Sequence, residues 1–161
     1  MELRFTGVDS LLEKLAEVSG PVAEEAMRIG VKAGARVIAD GMREAAPVLD
    51  ERTAKSTALE SGALRADIHV YAGKPEGTLL ADLIGPGKKT QHVALWVEYG
   101  HRMVKGGYSR VDAIGRSRGP GHEFGSVRPH PFLRPAFEAS ARAALEACAD
   151  AALGALRGRK K

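Results

Sequence analysis

The chain has 161 residues, a formal net charge of +4, and 44% hydrophobic but only 5% aromatic residues. This length suits one domain spanning residues 1–161, and because much of the apolar content is alanine, we expect a modest core. No apolar run approaches the roughly 20 residues of a membrane-spanning helix, and the basic balance falls short of a dedicated nucleic-acid binder. The single cysteine, Cys148, excludes an internal disulfide and is expected to pack as a small core residue.

The N-terminal part of the chain predicts a strand and two helices before an exposed loop. Alternation over residues 2–8 predicts a short strand, and a short helix follows from residue 10 to about residue 18. A longer helix is predicted over residues 21–47, with an apolar stripe at helical spacing. That stripe consists of Val22, Ala26, Ile29, Ala33 and Val37. Residues 49–60 are polar and lack periodicity, which favours an exposed loop.

Three glycines interrupt the long helix. Gly30, Gly34 and Gly41 each weaken a helix by roughly 1 kcal/mol relative to alanine. Either another helix or sheet approaches closely at these positions, or the helix simply tolerates them, and the sequence does not separate the two explanations.

The middle of the chain predicts a β-hairpin and a short helix. Alternation is clearest from Leu64 to Ala72, a turn follows at residues 73–77, and residues 78–84 form the return strand, which Gly85-Pro86-Gly87 stops. Residues 92–99 fit either a helix or a strand. We favour a helix that ends at Gly100.

Residues 101–128 are rich in glycine and arginine and contain few large apolar residues, which predicts a long exposed loop or a hairpin arm. Such a segment can contact acidic patches on protein neighbours, or it can bind phosphates while Tyr108 and Phe124 stack on bases. We favour protein neighbours, because no nucleic-acid-binding motif surrounds the segment. The candidate contact residues are Arg102, Lys105, Arg110, Arg116, Arg118 and Arg128.

A proline-rich stretch, residues 129–135, predicts an extended approach to a last helix over residues 135–156, and residues 157–161 form a basic tail. The predicted apolar stripe of that helix is Phe137, Ala141, Ala144, Leu145, Cys148, Ala152 and Leu156.

The sequence offers little catalytic chemistry. It lacks the spacings of a nucleophile elbow, a phosphate-binding loop and a zinc site. The histidines at 92, 101, 122 and 130 read as loop residues on a solvated surface. We therefore expect no enzyme activity, no cofactor and no metal.

Four segments together resemble the neck, or tail-completion, protein family of tailed bacteriophages. They are the helix end Ala46-Pro47-Val48, the segment 61–68 with Gly62 and Leu64, the segment 94–100 with Trp96, Glu98, Tyr99 and Gly100, and the segment 131–137 with Pro131, Phe132, Leu133, Arg134 and Pro135. Two features depart from the family pattern: residues 49–60 are inserted, and His101 stands where a threonine is usual.

The resemblance implies an α+β fold: a small, mostly antiparallel sheet packed with a long N-terminal helix and a C-terminal helix, with a long extended loop. It also implies a structural virion protein that forms a sixfold ring of identical subunits in the neck, after assembly in the host cytoplasm. Its neighbours would be the head-completion protein and the tail terminator, with possible contact to the genome DNA and none to a membrane. The related roles of head closure and tail terminator stay open, as does the alternative of a small basic nucleic-acid-binding protein.

Glu98 and Arg134 lie in two apolar motifs, where a carboxylate and a guanidinium can form a partly buried ion pair. The alternative is two separate surface charges, and the sequence leaves both open.

Overall fold

The computed structural model describes residues 20–48, 59–73, 80–105 and 121–158. Their elements are helix α1 (Gly20–Ala45), helix α2 (Ala63–Ala66), strands β1 (Ile68–Ala72) and β2 (Asp82–Pro86), helix α3 (Gln91–Tyr99), strands β3 (His101–Lys105) and β4 (His122–Val127), and helix α4 (Leu133–Gly158). This confirms the α+β class. The predicted strand over 2–8, the helix over 10–18, most of the loop over 49–60, the turn after Gly73 and residues 159–161 lie outside the described residues.

The long helices α1 and α4 pack antiparallel through their smallest residues. A Cβ on Gly30 would lie 2.6 Å from the carbonyl oxygen of Cys148, and one on Gly34 would lie 2.8 Å from that of Ala144. A Cβ on Gly41 would overlap the hydroxyl of Ser140. The glycines are therefore sites of close helix approach, the first of the two explanations that the sequence left open.

This close packing corrects the predicted apolar stripes. Because α4 lies against the glycine side of α1, the buried positions include Gly30 and Gly34, whereas Ile29 is half-exposed. On α4, Phe137 and Leu145 are likewise half-exposed, and alanines take most of the buried positions. Helical periodicity located both helices and part of each buried face, since Ala26 on α1 and Ala144, Ala152 and Leu156 on α4 are buried as predicted.

The core has two parts. One lies between the start of α1 and the end of α4, and consists of Ala26, Ala149, Ala152, Leu153 and Leu156. The other joins the end of α1 to the hairpin, α3 and the start of α4, and consists of Ala39, Met42, Ala46, Leu64, Ile68, Ala94, Phe132 and Ala136. The second part holds the motif segments together.

The predicted strand from Leu64 to Ala72 is wrong in its first half, which forms α2. Gly62 adopts a left-handed conformation (φ 78°) that turns the chain, and the N–H of Ala66 donates to the Gly62 carbonyl. This turn buries Leu64 in the core. The hairpin itself is confirmed: β1 pairs antiparallel with β2, from Ile68 opposite Pro86 to Ala72 opposite Asp82. Strand β2 therefore continues past the expected stop at Gly85.

The two ends of the segment 101–128 form strands rather than a loop. β3 and β4 pair antiparallel, from His101 opposite Val127 to Lys105 opposite His122, with a β-bulge next to Met103. The hairpin alternative is thus correct for the base of this segment, and residues 106–120 lie outside the described part. Helix α3 is confirmed, and α4 begins at Leu133, two residues before the predicted start.

None of the described helices is both long and apolar enough to cross a membrane.

Candidate functional site

The side chain of Glu98, at the end of α3, caps the start of α4. Its Oε2 accepts hydrogen bonds from the backbone N–H groups of Phe132 (2.8 Å) and Leu133 (3.0 Å), and its Oε1 accepts one from that of Arg134 (3.3 Å). A helix leaves its first N–H groups without intrahelical partners. Pro135 has no N–H, and Ala136 already donates to the carbonyl of Phe132. Every donor of this first turn therefore has a partner.

Glu98 forms neither of the two arrangements that the sequence left open, an ion pair with Arg134 or a separate surface charge. Glu98 is only 8% exposed, and its partners are backbone groups, whereas the side chain of Arg134 is exposed. Burial on its own raises the pKa of Glu98, but the three backbone hydrogen bonds and the positive charge of Arg134 outweigh burial and hold the pKa below its ordinary value. The carboxylate stays charged at neutral pH and favours the positive end of the helix dipole.

Two further contacts lock the same junction. The N–H of His130 donates to the carbonyl of Val97 (2.7 Å), which ties the end of α3 to the approach to α4. Gly100 has φ 72°, and a Cβ there would lie 2.5 Å from the carbonyl oxygen of Val127. The base of the β3–β4 hairpin is thus held at a fixed position beside Glu98.

A second junction, which sequence reasoning missed, connects β1 to the start of α3. The hydroxyl of Thr90 donates to the carboxylate of Asp67 (2.9 Å), and the N–H of Gly87 donates to the Asp67 carbonyl (2.7 Å). The bond from Thr90, with a smaller contribution from His69, holds the pKa of Asp67 below its ordinary value, against the opposing effect of burial.

Arg43 completes this junction from α1. Its guanidinium donates twice to the carbonyl of Ile68, at 2.6 and 3.1 Å. Ile68 lies opposite Pro86, which has no N–H to donate across the strand pair. Pro86 in the return strand is the feature of the sequence that could have predicted this contact. A proline there leaves the carbonyl of the opposite residue in need of a donor from outside the strand pair.

Helix α3 presents large apolar side chains to solvent. Leu95 is 57% exposed, Trp96 49% and Tyr99 67%, while Ala94 and Glu98 on the same helix are buried. The ring of Trp96 lies between the rings of His92 and His101, with centroids 5.2 and 5.1 Å away. The outer face of this helix is therefore an exposed apolar surface of the kind that marks binding sites on soluble proteins.

Grooves flank this helix on two sides. The larger, of about 620 Å³, lies between the end of α1, α2 and α3, and Gly62, Leu64 and Trp96 all line it. Trp96 also borders a groove of about 420 Å³ at the base of the hairpin, next to Val104 and Phe124. On the opposite flank, Leu95 and Tyr99 lie beside Leu133 and Arg134.

The structure thus brings the motif residues together in two places. Gly62 and Leu64 meet Trp96 at the larger groove, and Glu98 meets Phe132, Leu133 and Arg134 at the start of α4. Pro131 and Pro135 flank that start and are exposed. Within the described ranges, no three histidine, cysteine, aspartate or glutamate side chains are grouped to hold a metal ion.

The basic candidates are dispersed. Arg102 is exposed and pairs with Glu123 across the hairpin at 3.4 Å, Arg128 is exposed after β4, and Lys105 ends β3. Arg110, Arg116 and Arg118 lie outside the described residues. The described base of the hairpin therefore carries acidic as well as basic charge.

A family model matches residues 9–100, which is more than half of the chain. The matching family is described as "Bacteriophage HK97-gp10, putative tail-component". The matched range contains α1 to α3, including Glu98, and ends before the β3–β4 hairpin and α4. No curated protein and no solved structure matches the chain.

Proposed function

We propose that this chain, which belongs to the HK97-gp10-like family of bacteriophage tail components, is a structural protein of the neck with no catalytic activity. In this proposal it is a tail-completion, or head–tail joining, component. Identical subunits form a closed ring, most simply a hexamer, between the head-completion protein and the tail terminator.

The exposed outer face of α3 carries this proposal. Four hydrogen bonds, from His130 and to Glu98, fix α3 against the start of α4, so Leu95, Trp96 and Tyr99 project from a rigid base. Large apolar patches on soluble proteins mark binding surfaces, and rigid aromatic anchors are typical of their centres. A subunit with such a face is expected to assemble.

The mass of the purified protein in solution tests ring formation. We expect a discrete ring, either free or only when tail tubes or capsids are added. A protein that stays monomeric with and without particles would refute the proposal.

The β3–β4 hairpin is proposed to reach a neighbouring ring. The register places Lys105 opposite His122, so an Asn-Gly turn can replace residues 106–121 and preserve both strands. We expect this variant to fold and to form the ring but not to join heads to tails. Joining at the wild-type level would show that this part of the chain is not the contact.

Nucleic-acid binding is the second candidate, favoured by exposed Arg128 and by exposed Phe124 on β4, the strand that Arg128 follows. The Arg102–Glu123 pair argues against it, because Glu123 places a negative charge where a phosphate would lie. Binding to DNA falls steeply as salt rises. A titration of duplex DNA at about 50 and 200 mM salt therefore separates the candidates: a steep loss of affinity supports this one, and the absence of binding at both salts excludes it.

A further inference from the structure

Two apolar surfaces of different shape lie on opposite flanks of α3. The first is the groove of about 620 Å³, with Val48, Val93 and Trp96 in its wall. The second is the ridge of Leu95 and Tyr99, whose side chains border a shallower groove of about 420 Å³ and are among the most exposed large apolar residues of the described chain. No residue of α3 lines both surfaces.

A closed ring of identical subunits needs two different surfaces on each copy, one for the preceding neighbour and one for the next. We propose that the Leu95–Tyr99 ridge of one copy fills the Val48–Val93–Trp96 groove of the next copy. This inference rests on the proposed function, because it names the two surfaces through which the ring closes.

The groove and the ridge are compatible in apolar character and in size. The groove is lined mainly by apolar side chains and has the volume of a site that binds a small apolar group. A tyrosine and a leucine side chain occupy less than this volume, and a tyrosine ring fixes a large contact area with few rotatable bonds. The groove is therefore large enough to receive both side chains of the ridge.

The charges at the rims favour a head-to-tail arrangement. Arg134 is exposed beside the ridge, and Glu60 is exposed beside the groove. Neither side chain has a salt bridge within the described part of the chain. Ridge against groove brings Arg134 toward Glu60 of a second copy, whereas ridge against ridge brings two arginines together and groove against groove two glutamates.

Crosslinking tests this pairing. Cys148 is the only cysteine, so a Cys148→Ala background that also carries Glu60→Cys and Arg134→Cys leaves two defined thiols. With a short bis-maleimide, applied to rings in solution or to rings on particles, we expect a ladder of covalent oligomers. A control pair replaces Glu60→Cys with Leu83→Cys, an exposed position on β2, and should give no ladder.

The outcomes separate the two proposals. A ladder from the first pair alone supports the contact. A ring mass with no ladder, or with equal ladders from both pairs, overturns the contact and leaves the ring standing. No assembly of the wild-type protein, with or without particles, overturns the ring and the contact together.

Charge reversal provides a second test. Arg134→Glu and Glu60→Arg should each raise the protein concentration at half-assembly by about tenfold or more, and the double variant should restore it. Melting curves for all three variants check the fold, since Arg134 also acts on Glu98. Rescue in the double variant cannot arise through Glu98, so a double variant that assembles worse than both single variants would contradict the contact.

Discussion

Replacement of Glu98 tests whether its carboxylate is the cap that holds α4 in place. Glu98→Ala removes the acceptor of three backbone N–H groups, of which that of Phe132 is buried. A hydrogen bond to a charged group contributes about 1.5–3 kcal/mol, and loss of a helix cap costs up to about 2 kcal/mol. Water can reach two of the three donors, so we expect a loss of about 3 kcal/mol.

Glu98→Gln separates the charge from the shape. Its amide oxygen can still accept from Phe132 and Leu133, but its NH₂ group faces the N–H of Arg134, and the charge at the helix start is lost. We expect a loss of about 1.5 kcal/mol, half of the alanine effect. At about 2–4 °C per kcal/mol for a chain of this length, the melting temperature should fall by about 3–6 °C for Gln and 6–12 °C for Ala.

The pH dependence of the Gln variant gives the sharper result. The folded pKa of Glu98 lies below its ordinary value of 4.5, so its contribution is complete above that pH and is lost as pH falls through the folded value. The difference between wild type and Glu98→Gln should be constant from pH 6 to 8 and shrink below about pH 4.5. Denaturant curves measure it, and they are taken at one fixed protein concentration because any association between copies adds stability.

Glu138, an exposed glutamate on α4 itself, provides the control. Glu138→Gln should change stability by no more than about 0.5 kcal/mol. Equal free energies of unfolding for wild type and Glu98→Gln from pH 6 to 8 would refute the role of the charged cap.

Three other substitutions test the remaining junctions. Gly34→Ala should lower the free energy of unfolding by about 1–3 kcal/mol in a denaturant curve, because its Cβ meets the α4 backbone. Gly154→Ala is the control: nothing lies within 4 Å of a Cβ there, so it should stabilise by up to about 1 kcal/mol. Equal effects of the two substitutions would contradict the close helix contact. Thr90→Val should lower the free energy of unfolding by about 1–2 kcal/mol at pH 7 and move the pKa of Asp67 up toward its ordinary 3.8. The difference in stability from wild type should therefore shrink below about pH 4. A difference that stays constant down to pH 3 would show that the hydroxyl does not act on the carboxylate. Arg43→Met leaves the β1 carbonyl without its donor and should cost about 1–2 kcal/mol by thermal melting, and an unchanged melting temperature would show that water replaces the guanidinium.

Local patterns were sufficient for most elements. Helical spacing and terminal signals placed α1 and α4, and the glycine-bounded apolar segment placed α3. Alternation placed β1 and its pairing with β2. These features depend on residues close in the chain, and so local patterns were enough to predict them. The α+β class and the tail-component family were implied instead by the resemblance of four motif segments to a known family.

Tertiary structure decided which face of each helix is buried. Apolar side chains alone favoured Ile29 and Phe137 as core residues. The helices instead meet closely at Gly30 and Gly34, and both Ile29 and Phe137 are half-exposed. Alternation likewise suggested a strand at Leu64, whereas the turn at Gly62 and burial in the core made this segment helical. In both places, packing against residues distant in the chain outweighed the local preference of the segment. A periodic pattern carries no information about such distant contacts.

Glu98 shows the same division most clearly. The sequence marked it as a charged residue within an apolar motif, and the nearest candidate partner by charge was Arg134. The fold brings it instead to three N–H groups more than thirty residues away along the chain, at the start of another helix. A buried carboxylate takes the donors that geometry places around it, and only the packing of α3 against α4 determines which donors those are.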